Sequence, residues 1–211
     1  MVTYHFMKNS LLFLTLFLLA IVPQIWLNIV FNIFHFKMNF FLTIVTFIIV
    51  VLNLFITIKL VTKITKVKID FFSLQWKDVL TYVAGGFLVN MSFGLIVYLF
   101  FSFMTTNQKS VDAISSKMPI LLFFLFAVIS APILEELVCR LFIMGYVFKK
   151  YQLLGILISV IIFILPHRPS SIGEFIVYLG PAISYSGIFY LSKRIEYSIL
   201  FHIFVNLLAT L

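Results

Sequence analysis

The sequence predicts an all-α fold, a polytopic α-helical integral membrane protein with about seven transmembrane helices (six to eight). Of its 211 residues, 63% are hydrophobic and only 10% are charged, whereas a soluble domain carries about 25% charged residues. The apolar residues form long runs, and the 27 phenylalanines suit surfaces that face lipid. These features favour a membrane protein over a soluble domain.

A transmembrane helix needs about 20 mainly apolar residues, and this length divides the chain into its spans. The fourth span is too long for one straight crossing and contains Ala131-Pro132, so we expect it to bend or break there. The fifth span is short and ends at Pro166. The predicted spans are 10–34, 38–60, 79–104, 119–148, 152–166, 173–192 and 195–211.

The net charge of +8 is carried by short basic clusters between the apolar runs, so it indicates membrane orientation and not nucleic-acid binding. The clusters are the five lysines within 59–77, Lys149-Lys150 and Lys193-Arg194. Seven spans with a cytoplasmic N-terminus place all three clusters in the cytoplasm, and place the loop 105–118 outside. The single cysteine, Cys139, excludes an internal disulfide and is predicted to be a packing residue.

Ionisable residues within the apolar runs are candidate functional residues, because burying them in lipid costs roughly 2.5–3.5 kcal/mol each. Glu136 and Arg140 are four residues apart and can pair on one helix face. Glu135 points in another direction and needs a partner from another helix. Taken alone, such a pair is more often a structural contact than part of a catalytic centre.

Two later spans also carry polar side chains. His167 follows the short fifth span, and His202 and Asn206 share one face of the last. A lone histidine on an apolar helix is usually a hydrogen-bonded contact between helices. Together with a carboxylate, these side chains instead suggest a reaction centre or a metal site.

The three clusters in order resemble the motifs of the CPBP (Abi, CAAX protease and bacteriocin-processing) family of intramembrane proteases. They read Glu135-Glu136-x-x-x-Arg140, Phe163-x-x-x-His167 and His202-x-x-x-Asn206. The resemblance covers about residues 115–211, and the spans within 1–114 carry no motif. We expect residues 1–211 to form one membrane domain. Cys139 and Leu141 depart from the family, which commonly has an aromatic residue before the arginine and a glycine after it.

The resemblance implies an intramembrane endopeptidase with a buried catalytic pocket that opens toward the cytoplasmic side. Glu135 and His167 would activate a water molecule, and His202 and Asn206 would stabilise the oxyanion. Glu136 and Arg140 would be supporting residues. We favour a mechanism without a metal or other cofactor. If the enzyme were metal-dependent, Glu135, His167 and His202 would bind Zn²⁺.

The expected partners are the lipid bilayer and a membrane-associated peptide or protein substrate, such as a bacteriocin leader, with a bacterial plasma membrane as the location. The sequence does not predict an oligomeric state. Two alternatives remain open: a non-proteolytic scaffold or immunity protein that regulates a partner such as a sensor kinase, and a proton-coupled transporter. A transporter would favour two related halves with broken helices, and no such repeat is visible.

Overall fold

A computed structural model describes residues 2–101 and 106–210, which form eight helices and no β-strand. The first four helices are α1 (Val2–Asn28, continued by the π-helical turn Ile29–Ile33), α2 (Phe40–Thr65), α3 (Trp76–Phe100) and α4 (Thr106–Ser115). The next is α5, which combines four consecutive stretches: Ile120–Phe123, Phe124–Ser130, Ala131–Glu136 and Leu137–Val147. The last three are α6 (Gln152–Ile164, followed by the 3-10 turn Leu165–His167), α7 (Ile172–Ser192) and α8 (Ile195–Thr210).

Each of the seven predicted spans coincides with a helix, which confirms the polytopic helical fold. Five helices are long and apolar enough to cross a membrane, namely α1, α2, α3, α5 and α7, while α6 and α8 are shorter and apolar. The predicted ends at residues 104 and 211 lie outside the described residues. The expected loop 105–118 is wrong over Thr106–Ser115, which form α4. This helix is polar overall, but Val111 and Ile114 pack against the apolar core, and that contact orders it.

Helix α5 lies at the centre of the bundle. Of the residues in its most apolar 18-residue stretch, 50% are buried. The corresponding fraction for α3, which lies at the periphery, is 11%. α5 contacts α1 and α2 on one side and α6, α7 and α8 on the others. The motif glutamates are therefore held on the most enclosed helix of the described bundle.

Of the bend or break predicted at Pro132, the break is wrong, because the helix continues through this residue. Ser130 and Ala131 keep right-handed helical dihedrals, and the hydrogen-bond spacing changes instead. The stretches before and after Ala131–Glu136 are π-helical, and the Ala131 N–H donates to the Phe126 carbonyl five residues back. Proline lacks an N–H, so a wider helical turn accommodates it within the helix. π-Helical turns are rare and occur frequently at functional sites.

Two glycines on α7 differ in how closely the neighbouring helix approaches. A Cβ at Gly180 would lie 2.7 Å from Phe93 Cβ of α3, whereas at Gly187 it would meet nothing within 4 Å. We expect Gly180→Ala to lower the free energy of unfolding by about 1–3 kcal/mol, because Phe93 Cβ cannot move without its backbone. Gly187→Ala is the matched control, and it should be neutral or stabilising because alanine favours the helix.

Equilibrium unfolding of both variants in bicelles measures this difference. Equal effects of the two substitutions would contradict the close approach of α3 and α7 at Gly180.

Candidate active site

The Glu136–Arg140 pair predicted within one helix turn is present and fully buried. Arg140 Nη1 lies 3.2 Å from Glu136 Oε1, and neither side chain is exposed to solvent. Arg140 Nη2 donates a 3.0 Å hydrogen bond to the Ala182 carbonyl of α7. The guanidinium also lies 4.7 Å from the ring centre of Phe163 and 5.3 Å from that of Tyr185. Arg140 therefore joins α5 to α6 and α7, besides neutralising Glu136.

Glu136 has a second function in the structure, which the sequence did not reveal. Its Oε1 is 3.0 Å from His202 Nδ1, and its Oε2 accepts a hydrogen bond from Ser198 Oγ. Ser198 Oγ is also 3.1 Å from the Tyr185 carbonyl. A carboxylate on Nδ1 fixes both the orientation of a histidine ring and the nitrogen that carries the proton. Glu136 is therefore the residue that orients His202.

Glu135 finds its partner on another helix, as expected. Its Oε2 is 3.7 Å from His202 Nε2, so His202 lies between the two glutamates. The Glu135 side chain is 27% exposed, whereas His202 is 3% exposed. Glu135 is therefore the carboxylate of this cluster that a substrate or a water molecule can reach.

His167 lies in the 3-10 turn that follows α6. Its Nδ1 is 2.8 Å from the Phe163 carbonyl. A carbonyl can only accept, so Nδ1 carries a hydrogen and Nε2 of the neutral ring is an acceptor. The Phe163 ring lies between the two histidines, with centroid distances of 5.0 Å to His167 and 5.6 Å to His202. Phe163 thus spaces the two motif histidines.

Asn206 is tied to the π-helical part of α5. Its Nδ2 donates a 2.9 Å hydrogen bond to the Ala127 carbonyl. In the five-residue spacing seen at Ala131, this carbonyl would pair with the backbone nitrogen of Pro132, which has no hydrogen. One Asn206 N–H therefore replaces the missing helix donor, and the second remains for another acceptor.

A cavity of 370 Å³ brings together all four residues that the resemblance assigns to catalysis: Glu135, His167, His202 and Asn206. Apolar side chains form most of its remaining wall, and Val111 and Ile114 of α4 contribute to its outer end. Its volume is at the lower end of the range of ligand pockets, about 300–1,000 Å³. It can admit a short extended stretch of chain but not a folded domain.

Two residues of this site were missed by the sequence reasoning. Tyr185 stacks on His202 with centroids 4.1 Å apart and planes at 19°. Ser198 holds Glu136 and could have been found, because Ser198, His202 and Asn206 are spaced four residues apart on one helix face. Tyr185 has no such signal, since its contact depends on how α7 packs on α8. Cys139 is buried and unpaired, which agrees with its predicted packing role.

Glu135, His167 and His202 are the residues that would bind a metal ion. In the described parts of the chain, no three His, Cys, Asp or Glu side chains are grouped closely enough to hold an ion. Nδ1 of His202 is held by Glu136 and Nδ1 of His167 by a backbone carbonyl, which leaves Nε2 of each ring as its remaining donor atom. The mechanism without a metal therefore stays a prediction.

The cavity and the basic clusters lie at opposite ends of the bundle. The cavity is lined by the second halves of α1, α3 and α8, the first halves of α5 and α7, the end of α6, and α4. Lys68, Lys149 and Lys193 meet at the other ends of these helices. The lysine clusters and the opening of the site were both expected on the cytoplasmic side, and both stay predictions.

Comparison with protein families supports the resemblance. Residues 117–208 match the family model described as type II CAAX prenyl endopeptidase, Rce1-like, and this segment contains the three motifs. Comparisons with curated proteins and with solved structures gave no match.

Proposed function

We propose that the protein hydrolyses a peptide bond of a membrane-associated peptide or protein by means of a water molecule activated in the 370 Å³ cavity. The match of residues 117–208 to the Rce1-like family of CAAX endopeptidases supports this proposal. The observation that supports this most directly is the convergence of Glu135, His167, His202 and Asn206 from three helices on that one cavity. The proposed substrate carries no prenyl group. A bacteriocin leader or a self-immunity target is an example.

Glu135 is the general base of the proposed reaction. It is the carboxylate of the cluster that a substrate or a water molecule can reach, and a positioned carboxylate can act as a general base. It takes a proton from water as the oxygen attacks the scissile carbonyl carbon. The Nε2 lone pair of His167 accepts the second water hydrogen and aligns the nucleophile. Glu135 then returns the proton to the leaving amine, so that a carboxylic acid and an amine are released.

His202 and Asn206 stabilise the negative charge on the former carbonyl oxygen. Glu136 holds Nδ1 of His202, so Nε2 is the ring nitrogen that faces the cavity and the former carbonyl oxygen. Asn206 donates with the N–H that Ala127 does not use. Donors fixed by neighbouring groups in a water-poor cavity stabilise an oxyanion more strongly than donors in water.

The proposal is tested by incubating the protein in proteoliposomes with a pool of membrane-anchored peptides and identifying products by mass spectrometry. We expect defined cleavage products with the wild type, none with Glu135→Ala, and unchanged rates in excess EDTA. Products no more abundant than with Glu135→Ala would refute proteolysis. Loss of activity in EDTA that Zn²⁺ restores would refute the metal-free assignment but not the peptidase.

We further propose that the cavity opens on the side of the membrane opposite the lysine clusters, and that the lysine side is cytoplasmic. A Cys139→Ala background permits single cysteines at the exposed positions Ser116, beside α4, and Tyr151, at the lysine end. In intact cells, a membrane-impermeant maleimide should label Ser116→Cys, and should label Tyr151→Cys only after permeabilisation. The reverse pattern would place the cavity on the cytoplasmic side.

A further inference from the structure

A second cavity lies at the lysine end of the bundle, away from the candidate active site. It has a volume of 610 Å³ and is enclosed by the α2–α3 connection, the end of α5, the start of α6 and the α7–α8 turn. Its floor is apolar and includes Leu141, Phe189 and Ile195, whereas its rim is basic. Nothing in the proposed peptidase mechanism uses this cavity.

The rim carries more positive than negative charge. Lys68, Lys149, Lys193 and Arg194 are cationic, and Asp70 and Glu196 are anionic, which leaves a formal charge of +4 − 2 = +2. The three lysines come from three separate parts of the chain, so the fold brings them together and a local run of sequence does not. The charge therefore converges on one cavity.

Arg194 and Glu196 form an ion pair, and the Asp70 carboxylate accepts a hydrogen bond from a backbone N–H. Arg194 Nη2 is 3.1 Å from Glu196 Oε1 and donates to the Asp70 carbonyl at 2.8 Å. Glu196 Oε1 accepts from the Asp70 N–H at 2.7 Å, and Asp70 Oδ1 accepts from the Phe72 N–H at 3.0 Å. This network fixes the α2–α3 connection against the α7–α8 turn and gives the cavity a rigid wall.

The lysines, in contrast, have no acidic partner. In residues 2–101 and 106–210, Lys68, Lys149 and Lys193 form no ion pair, and only Lys193 has a ring contact, with Nζ 4.0 Å from the centre of Tyr190. All three are exposed at the rim. Lys193 also ends α7 in a left-handed conformation (φ 56°), which the surrounding contacts must stabilise.

We propose that this cavity binds a phosphate-bearing anion, with the three lysines around the phosphate and the apolar floor beneath it. A phosphate group near a membrane surface comes either from the headgroup of an anionic phospholipid or from the aqueous phase. Lysines close to an anionic membrane surface strengthen binding by roughly fivefold each, which corresponds to about 1 kcal/mol. An apolar floor adds affinity only for a ligand that carries acyl chains.

The test measures binding of dioctanoyl phosphatidylglycerol, dioctanoyl phosphatidylcholine and inorganic phosphate to the full-length protein in neutral detergent, by native mass spectrometry and competition. We expect one saturable site for phosphatidylglycerol and much weaker binding of phosphatidylcholine. The triple variant Lys68→Gln/Lys149→Gln/Lys193→Gln should weaken phosphatidylglycerol binding by at least about tenfold. The charge-retaining triple change to arginine should preserve it and shows that the fold tolerates substitution at these positions.

The matched control is Lys59→Gln/Lys63→Gln/Lys150→Gln, which removes three exposed lysines of the same clusters that do not line the cavity. It should change binding by less than about twofold, because exposed charges outside the cavity are screened by salt. Equal losses in the two glutamine triples, or no saturable binding, would overturn the site. Displacement of the lipid by inorganic phosphate identifies the free anion as sufficient. Lipid binding that phosphate does not displace identifies the headgroup as the source.

Discussion

Replacing Glu135 with glutamine is expected to lower the rate of peptide hydrolysis by about 100- to 10,000-fold, the usual contribution of a general base. The substitution keeps the size and polarity of the side chain but removes its ability to take a proton from water. Glu135 is partly exposed and lies 3.7 Å from His202, so the amide should fit without disturbing the buried Glu136–Arg140 pair. The measurement is the rate of cleavage of the best peptide in proteoliposomes.

Two readouts make this prediction specific. Asp78→Asn, an exposed carboxylate-to-amide change at the start of α3, is the control and should leave the rate unchanged. Melting temperatures of Glu135→Gln and the wild type should agree within a few degrees, which separates a chemical effect from unfolding. A cleavage rate of the variant equal to that of the wild type would contradict the assignment of the base.

The same variant separates the peptidase from a scaffold in cells. A scaffold that regulates a partner such as a sensor kinase acts through its surface, and the Glu135 side chain lines an internal cavity. The biological activity of a scaffold should therefore survive Glu135→Gln at normal expression, whereas that of a peptidase should be lost. Because the substitution changes no outer surface, the two functions give opposite results.

The helices and the catalytic candidates could be predicted because both depend on local sequence. Apolar runs separated by lysines located seven of the eight described helices. The four-residue spacing of Glu136 and Arg140 predicted a pair that the structure shows at 3.2 Å. The motifs predicted that the four catalytic candidates share one site, and all four line one cavity. Sequence spacing alone could not give the distances between their helices.

The remaining features arise from packing between elements that are distant in the chain. Tyr185 contacts His202 only because α7 lies against α8, and no periodicity predicts that contact. The continuous helix at Pro132 depends on the donor that Asn206 supplies from another helix. α4 is ordered by two apolar side chains in a polar segment, too few to appear as a hydrophobic run.

The second large effect concerns stability and arises at Arg140. Arg140→Met keeps most of the volume of the side chain but leaves Glu136 buried without its cation. Breaking a buried ion pair by removing one partner costs about 3–5 kcal/mol, and the hydrogen bond to the Ala182 carbonyl is lost as well. The free energy of unfolding in bicelles should fall by this amount. Lys150→Met, which removes an exposed cation at the end of α5, should change it by no more than about 0.5 kcal/mol.

The double variant Glu136→Gln/Arg140→Met shows whether charge or packing causes the loss. Without either charge, no ion remains unpaired, so the double variant should be more stable than Arg140→Met alone. It should nevertheless be a poor peptidase, because glutamine lacks the negative charge with which Glu136 holds and orients His202 Nδ1. A double variant no more stable than the single would show that Arg140 acts by packing on Phe163 and Tyr185. If the double variant regains stability but not cleavage, Glu136 both stabilises the bundle and orients the catalytic histidine.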